Sequence, residues 1–579
     1  MKLSRINNKQ LLFDLISLIA GCIYVIISSI FTRAFFVPMR PDIGVEQVAY
    51  KFLSTGANLS EDNISRIIVF VYSHILAVVI ISVALMLFWR LLIYFVENNK
   101  ERIKILVLGI VFILLMYCAC CTYPFSIALS MDTFENYMWA KAWLPRQWHG
   151  FLTNIVYCAE FLIIPHPVSM ILFPAATSFG LILYTIYRVL IKRAKYGLIF
   201  GLIWLASLFL WLPMIETTVF AGRNYMYGIS IFAFVSVLFI DWIEKGELTC
   251  RKALWLAVFG AVAMTWRGEG MIWLAFFPLM IIATYFKKKP KIKTWLVCFV
   301  GLLLFFAVLW APSKYLTEKY QGKDYLIINT GSSLGAVFND PGSNLTYSGA
   351  QDDLENVDNV LPIEWIKAYG EMSFQFWNSY NVRITSQGGP NNNSDAYIKS
   401  AYSILFHNPV IFLKERLYVM QNALGLPHLY EITTATGEEI QRETSQEEDD
   451  LLLKWNEYRT EGYDEVVNTY ALRDNPIRSK IMYYYQIISV KEGDYFGYAF
   501  IILGIIMLAV ALWALIKKEW LFLLSSSAFL ATTAAIILAS PQGYSNYYFY
   551  GFFSEYWIML FFVLEIIKRH SSERGKNYE

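Results

Sequence analysis

Charged residues are scarce in this chain of 579 amino acids: 16% are Asp, Glu, Lys or Arg, whereas 57% are hydrophobic. Soluble globular proteins carry about a quarter charged residues. Long apolar stretches recur along the sequence, in agreement with a mean hydropathy of +0.44. The composition therefore excludes an ordinary soluble protein and predicts an all-α polytopic membrane protein.

Cysteine clusters and nucleotide-binding motifs are also missing. Nearly all of the seven cysteines lie in or beside apolar stretches, and the polar region 313–495 has none, so the sequence indicates neither a disulfide framework nor a cysteine metal site. There is no Walker A loop, dinucleotide fingerprint or zinc-binding helix motif, and no basic run long enough for nucleic acid. We therefore expect neither nucleotide-driven energy coupling nor a nucleic-acid partner.

Apolar stretches predict twelve transmembrane helices. They lie near 11–32, 67–90, 103–122, 167–190, 197–214, 225–243, 252–266, 269–286, 293–312, 496–516, 519–540 and 550–568. The stretch 151–163 is too short to cross a bilayer and is expected to be an interfacial helix. The first stretch is long for a signal peptide and has no clear small-residue cleavage site after it, which favours a retained span.

Basic residues predict the orientation of these spans. If the N-terminus is cytoplasmic, the short connections rich in Lys and Arg, such as "YRVLIKRAKYG" and "FKKKPKIK", all fall on the cytoplasmic side. Twelve spans then place both termini in the cytoplasm. The connections on the opposite side are polar and aromatic, so we expect the functional groups on the extracytoplasmic face.

The same pattern divides the chain into three parts. Residues 1–312 form a bundle of about nine spans with a large extracytoplasmic loop, 123–150, where we expect the catalytic chemistry. Residues 313–495 are too many for an unstructured loop and predict a mostly helical extracytoplasmic domain lying on the membrane. Residues 496–579 supply three further spans and a cytoplasmic tail.

The first large extracytoplasmic loop contains the stretch "SMDTFENYMWAKAWLPRQWHG". Its two carboxylates are Asp132 and Glu135. A carboxylate at the membrane boundary can take a proton from a hydroxyl during group transfer, so Asp132 is the candidate catalytic residue. The alternative is that both are ordinary loop carboxylates near the interface.

Aromatic residues and one histidine follow in the same loop. Trp139, Trp143 and Trp148 predict either an aromatic belt at headgroup level or a face that stacks on a sugar ring. His149 is either a hydrogen-bond donor in the same pocket or a structural residue.

Two arginines on the predicted extracytoplasmic side are candidate anion ligands. Arg267 lies in "AMTWRGEGMIW", between two apolar stretches, and its guanidinium can hold a phosphate through several donors. The alternatives are a contact with Glu269 two residues later, or snorkelling to the interface. Arg223 in "FAGRNYMYG" is a second cation, with interface anchoring as its alternative role.

These features, in this order, resemble a known pattern. The matching positions are Tyr123 and Pro124 at the end of an early span, Asp132, His149 in "QWHGFLTN", Arg223 with Asn224, Arg267, Asp395 in "NNNSDAYIKSAYSILFHNP" and Tyr547 in "SNYYFYG". The chain thus resembles the bacterial polytopic glycosyltransferases of the GT-C type, similar to O-antigen glucosyltransferase-like integral membrane proteins. Phe125, Asn224 and Asn546 depart from the usual glycine, acidic residue and arginine of that group.

The resemblance implies a GT-C-like transferase that takes its sugar from a polyprenyl-phosphate-linked donor. Its active site would lie on the extracytoplasmic face of the bacterial cytoplasmic membrane, with a glycan or lipid-linked acceptor. Nucleotide sugars are generally absent there, so a donor should arrive attached to lipid.

The resemblance also implies roles for individual residues. Asp132 would be the catalytic base, and Arg267 and Arg223 would hold the donor phosphate. Apart from the resemblance, we expect Glu135 to support Asp132 or a divalent cation. Further substrate contacts are expected at Trp148, His149, Glu269, Asp395 and Tyr547.

Two other functions fit the sequence. A polymerase or ligase of lipid-linked oligosaccharides would use the same face and the same phosphate chemistry. A transporter or flippase would carry its polar residues near the bilayer midplane and often shows repeated halves, which this sequence lacks.

Overall fold

The chain folds as an assembly of α-helices. The computed structural model describes residues 2–36, 63–97, 99–120, 131–144, 151–193, 196–209, 223–320, 324–369, 394–424, 426, 457, 460–469, 475–539 and 548–576, and these residues contain no β-strand. The predicted all-α class is confirmed.

Helices α1 to α11 lie in the predicted N-terminal bundle. They are α1 (Lys2–Phe31), α2 (Asn63–Glu97), α3 (Asn99–Cys120), α4 (Met131–Lys141), α5 (Phe151–Ile163), α6 (Ser169–Ile186), α7 (Gly197–Leu208), α8 (Arg223–Glu244), α9 (Cys250–Trp266), α10 (Trp273–Tyr285) and α11 (Ile292–Tyr320). Helices α12 to α19 follow: α12 (Asp324–Asn339), α13 (Ala350–Asp358), α14 (Ile363–Tyr369), α15 (Ser394–His407), α16 (Pro409–Leu424), α17 (Pro476–Lys517), α18 (Trp520–Ala539) and α19 (Phe549–Lys576).

Nine candidate spans among the described residues are long and apolar enough to cross a membrane. They are Leu12–Phe31, Ile64–Ile93, Glu101–Ala119, Ser169–Ile191, Tyr225–Glu244, Gly268–Lys288, Ile292–Leu316, Tyr498–Lys517 and Trp520–Ala539. Each coincides with a predicted span, so the chain is a multi-pass membrane protein. The other three predicted spans correspond to α7, α9 and α19, which are shorter or more polar.

Helix α8 lies at the centre of the bundle, and α9 and α19 run beside it over its whole length. At the beginning of α8, the ring of Tyr227 is 5.1 Å from that of Tyr550 in α19. Near its other end, the ring of Phe239 is 4.8 Å from that of Phe561. Contacts at both ends of α8 show that α19 runs along the candidate span Tyr225–Glu244. A helix of twenty residues is about 30 Å long.

Polar contacts join the helix ends at the far end of α8. Asp241 accepts hydrogen bonds from Lys252 Nζ, at 2.7 Å to each carboxylate oxygen, and from Tyr285 Oη at 2.6 Å. The ion pairs of this end also include Arg188–Glu244, Arg569–Glu519 and Arg569–Glu565. All these residues lie at span ends that the charge pattern assigns to the cytoplasm.

Helix α5 differs from the expectation of an interfacial helix. An interfacial helix exposes one side to lipid or water, but all residues of α5 from Phe151 to Leu162 are buried. The helix packs against α2, α4 and α6. The interfacial prediction is wrong because neighbouring helices cover α5 on every side, which a short apolar stretch cannot reveal.

The polar region 313–495 is mostly helical where it is described. Its α12, α13, α14 and α15 enclose a core of their own, separate from the core of the bundle. Helices α11 and α17 run through the predicted boundaries at 312 and 495 without a break. The division into three domains stays a prediction.

Candidate functional site

The turn between α9 and α10 positions Arg267. Helix α9 ends at Trp266, Arg267 is extended, and a short 3-10 helix, Gly268–Ile272, leads into α10. Gly270 permits this turn, because a Cβ at this position would lie 2.4 Å from the carbonyl oxygen of Ala263. The "WRGEG" sequence therefore fixes the backbone on both sides of the arginine.

Arg267 lies between a carboxylate and an aromatic ring. Its Nε forms an ion pair with Glu269 Oε1, and the two side chains are only 7% and 17% exposed. Its guanidinium carbon lies 6.0 Å from the centroid of the Tyr227 ring. Trp273 Nε1 donates a hydrogen bond of 3.1 Å to Tyr227 Oη. The contact between Arg267 and Glu269, predicted as an alternative, is therefore present.

The first turns of α19 complete this cluster. The buried Tyr550 packs against Tyr227, and it interacts electrostatically with Glu269 and with Glu555. Glu555 is 2% exposed, and its Oε2 has no hydrogen-bond partner in the described parts of the chain. One arginine, two acids and two tyrosines thus meet at the end of α8 opposite to Asp241. We call Tyr227, Arg267, Glu269, Tyr550 and Glu555 the Arg267 cluster.

Helix α4 carries the predicted catalytic base. Asp132 lies in its first turn and Glu135 in the next; their side chains are outside the described part of the structure. A carboxylate is electrostatically favourable in the first turn of a helix. Asn154 Nδ2 in α5 donates to Leu144 O at 3.2 Å, and Cys158 Sγ lies 3.2 Å from Ala140 O. These contacts use carbonyls at the end of α4, so α5 holds α4 in place.

Residues 460–469 of the polar region cover α4. The ring of Tyr463 makes an edge-to-face contact with Phe134 at 5.7 Å. Lys141 Nζ lies 4.8 Å from the ring centroid of Phe35; burial lowers the pKa of Lys141, and the charge of Glu465 partly offsets this effect. Residues 460–469 therefore pack on the helix that carries Asp132.

Glu160 in α5 is a second buried acid near the beginning of α8. It is 2% exposed, and neither of its carboxylate oxygens has a hydrogen-bond partner within the described ranges. It interacts electrostatically with Tyr157 and Tyr225. Burial raises the pKa of Glu160 well above its ordinary value.

A buried ion pair lies inside the polar region, close to the bundle. Glu415 and Arg416 in α16 pair with each other at 2% and 1% exposure. Ser332 and Ser333 in α12 donate to Glu415 at 2.9 and 2.7 Å, and Arg416 Nη2 donates to Ser332 Oγ at 2.7 Å. Arg416 also interacts electrostatically with Tyr548, next to the first turn of α19, so this network borders the Arg267 cluster.

The predicted site residues are only partly brought together. Arg267 and Glu269 are in contact. Arg223 is the first residue of α8, and its side chain is outside the described part of the structure. Asp395 is an exposed residue in the first turn of α15. Trp148, His149 and Tyr547 lie outside the described residues. Their predicted roles, and that of Asp132, stay predictions.

The tryptophans of the α4 segment have different surroundings. Trp139 is fully buried, because α4 packs on α5, so neither the belt nor the sugar-stacking expectation holds for it. Trp143 stacks on Phe36 with a ring distance of 4.1 Å. Among the described residues, no three His, Cys, Asp or Glu side chains form a group that could hold a metal ion.

Sequence reasoning missed Tyr227, Glu555, Glu160 and Arg416. Glu160 and Glu555 had a signal, because each is an acid inside an apolar stretch, "VYCAEFLII" and "FFSEYWIML". An ionisable residue in such surroundings is a functional candidate by default. Tyr227 follows Arg223 by one helical turn, which could have marked it.

No family model matches the chain, and neither does any curated protein or solved structure. The resemblance to the GT-C glycosyltransferases therefore stands on the sequence motifs alone.

Proposed function

We propose that the chain is a bacterial GT-C-type membrane glycosyltransferase. It moves a sugar from a polyprenyl-phosphate-linked donor to a cell-envelope glycan or lipid-linked acceptor on the extracytoplasmic face of the cytoplasmic membrane. The observation that carries the proposal is the position of Arg267. It is a largely buried cation at a span end, held between Glu269 and Tyr227, at the end of the bundle predicted to be extracytoplasmic. A lipid-borne phosphate lies at this depth, and a fork of guanidinium donors suits it.

The proposed fold has twelve spans with both termini in the cytoplasm. The packing of α9 and α19 beside α8 supports counting both as spans. Lys252 at the beginning of α9 contacts Asp241, and Arg267 directly after its end lies over Tyr227, so α9 covers nearly the whole length of α8 although it has only 17 residues. The described part of the fifth predicted span (197–214) is α7, which packs on α3.

The proposed reaction is an in-line displacement at the anomeric carbon. The acceptor hydroxyl loses its proton to the carboxylate of Asp132, and its oxygen forms a bond to the anomeric carbon. The bond between that carbon and the phosphate oxygen breaks, and polyprenyl phosphate leaves with the bonding electrons. Arg267, with Arg223, stabilises the negative charge on the departing phosphate. Attack from the opposite side inverts the anomeric configuration.

A transfer assay in liposomes tests this function. Purified protein is supplied with one labelled donor at a time, either a polyprenyl-monophosphate sugar or a diphosphate-linked oligosaccharide, and with a crude cell-envelope glycan. Asp132→Asn is the variant expected to be catalytically inactive. Glu364→Gln is the matched control, because Glu364 is an exposed acid of α14. We expect label in the glycan with the wild type and Glu364→Gln, and none with Asp132→Asn.

Other outcomes would replace the proposal. Transfer from a diphosphate-linked oligosaccharide, and from no monophosphate sugar, would indicate the polymerase or ligase. No transfer from any donor by folded protein would favour the transporter or flippase. Full activity of Asp132→Asn would remove this residue from the mechanism.

A further inference from the structure

Helices α15 and α16 carry a stripe of exposed apolar residues. The exposed fractions are 50% for Tyr402, 80% for Phe406, 63% for Val410, 51% for Leu413 and 41% for Leu417. Within each helix the residues follow at intervals of three or four, which places Tyr402 and Phe406 on one side of α15, and Val410, Leu413 and Leu417 on one side of α16. We call these five residues the apolar stripe.

Helices α15 and α16 follow one another directly, so the stripe occupies one side of each of two consecutive helices. Only Asn408 separates α15 from α16. The N–H of Asn408 donates to Leu405 O at 3.1 Å, and Phe412 N–H donates to Asn408 O at 3.0 Å. The first bond ends α15 and the second begins α16, so Asn408 joins two separate helices.

The other side of each helix is packed into protein. Tyr397, Ala401 and Ile404 of α15 are fully buried in the core of the polar region. Glu415 and Arg416 of α16 are buried against α12. Each helix therefore packs against protein on one side, and its exposed side is apolar.

We propose that the apolar stripe lies in the lipid bilayer, in the leaflet at the end of the bundle that carries the Arg267 cluster. The chain spans the membrane several times, and α16 packs directly on α17 and α18, two helices that contain candidate spans. Ile502 and Ile505 of α17 are 56% and 61% exposed, so the span that α16 contacts has an exposed apolar surface, as the stripe does. This inference does not depend on the reaction that the protein catalyses.

Charge on the rest of the region agrees with this placement. Lys399 and Lys414 are exposed near the stripe, where lysine side chains can reach lipid phosphates while their stems stay in apolar surroundings. Helix α13, which packs on α15, carries the acidic sequence "AQDDLENVD". An acidic helix is repelled by anionic lipid, so the region has one side suited to the membrane and one side suited to water.

Photo-crosslinking in the full-length protein tests the placement. Benzoylphenylalanine replaces Phe406 or, in a second variant, Leu413, and the protein is reconstituted into phosphatidylethanolamine–phosphatidylglycerol liposomes. Leu304, a 60% exposed residue of the α11 span, is the lipid-facing control. Glu364, 76% exposed in α14, is the water-facing control. Both stripe positions are highly exposed, so the substitutions leave the packing intact.

We expect both stripe positions to give lipid adducts at a yield similar to Leu304 and several-fold above Glu364, detected by mass spectrometry of the digested protein. A yield at the level of Glu364 would show that the stripe faces water and would overturn the proposal. Adducts to peptides of this chain or of a second copy would show that protein covers the stripe, which would overturn it equally. Failure of the transferase assay would leave this result unaffected.

Discussion

Arg267 and Glu269 form an ion pair within a turn of the backbone, and the face of Tyr227 lies beside the guanidinium. The pair neutralises a cation that would otherwise be costly in largely buried surroundings. If Arg267 binds a lipid phosphate, the phosphate either replaces Glu269 at the guanidinium N–H groups or shares these groups with it. The ion pair is thus consistent with a site that is charge-balanced before its ligand arrives.

Removal of the Arg267 guanidinium should impair transfer. We expect Arg267→Ala to lower kcat/KM for a polyprenyl-monophosphate sugar by about 10²- to 10³-fold, the effect of losing one donor that stabilises transition-state charge. Arg267→Lys should retain part of the activity, because lysine keeps the positive charge but lacks the planar set of N–H donors of the guanidinium. The measurement is initial transfer rate in liposomes at several donor concentrations.

Folding defects are separated from this effect by a double variant. Arg267→Ala leaves Glu269 as a largely buried unpaired acid, whereas Arg267→Ala with Glu269→Gln removes both charges. If the double variant regains thermal stability and stays inactive, the arginine acts in transfer. Wild-type kcat/KM in the double variant would refute the phosphate-binding role of Arg267.

The fold could largely be predicted from the sequence because span length and composition are local properties. Apolar stretches of about twenty residues located all nine candidate spans, and runs such as "FKKKPKIK" marked helix connections. The fate of α5 could not be predicted in this way. A short apolar helix can lie on a membrane or inside a bundle, and only the packing of its neighbours decides between them.

The site was predictable only where its residues are close in sequence. Arg267 and Glu269 are two positions apart, so their contact could be expected. Tyr227 and Tyr550 meet across more than 300 residues, and no local pattern indicates such a pair. The Arg416 network was missed because Glu415 and Arg416 read as ordinary charges on the surface of an amphipathic helix.

Glu160→Gln should stabilise the protein at neutral and alkaline pH. Burial raises the pKa of Glu160, so the folded state holds its proton at pH values where the unfolded state has lost it. The folded state therefore loses stability as the pH rises above the unfolded pKa towards the folded one. The amide has no proton to lose, so Glu160→Gln should gain about 1.4 kcal/mol or more at pH 8, the free energy that corresponds to a pKa raised by one unit. The gain should shrink towards pH 5.

Thermal unfolding in detergent at pH 5 and pH 8 measures this difference. Glu364→Gln is the matched control, because this side chain is 76% exposed and should change stability little at either pH. Loss of stability of Glu160→Gln at pH 8 would contradict the expectation. It would show that the ionised carboxylate is used in the folded protein.

Arg416→Ala should destabilise the polar region strongly. It leaves Glu415 buried without its cation, and breaking a buried pair in this way costs about 3–5 kcal/mol. Arg416→Met combined with Glu415→Gln should cost clearly less, because no unpaired charge remains. Lys367→Ala, which breaks the exposed pair with Glu364, should cost at most about 1 kcal/mol. Hydrogen exchange of residues 324–369 and 394–424 measures the loss of stability in each variant. Equal losses in Arg416→Ala and in the double variant would contradict the prediction.

The orientation of the bundle decides which donors the Arg267 cluster can meet. An epitope inserted at Gly342, in the exposed turn between α12 and α13, should be digested by protease in intact spheroplasts. The same epitope at Lys289, in the basic connection between α10 and α11, should be digested only after lysis, because Lys-rich connections stay in the cytoplasm. Both variants must elute as monodisperse protein. The reverse pattern would place Arg267 in the cytoplasm, where nucleotide sugars are present, and would remove the reason for a lipid-linked donor.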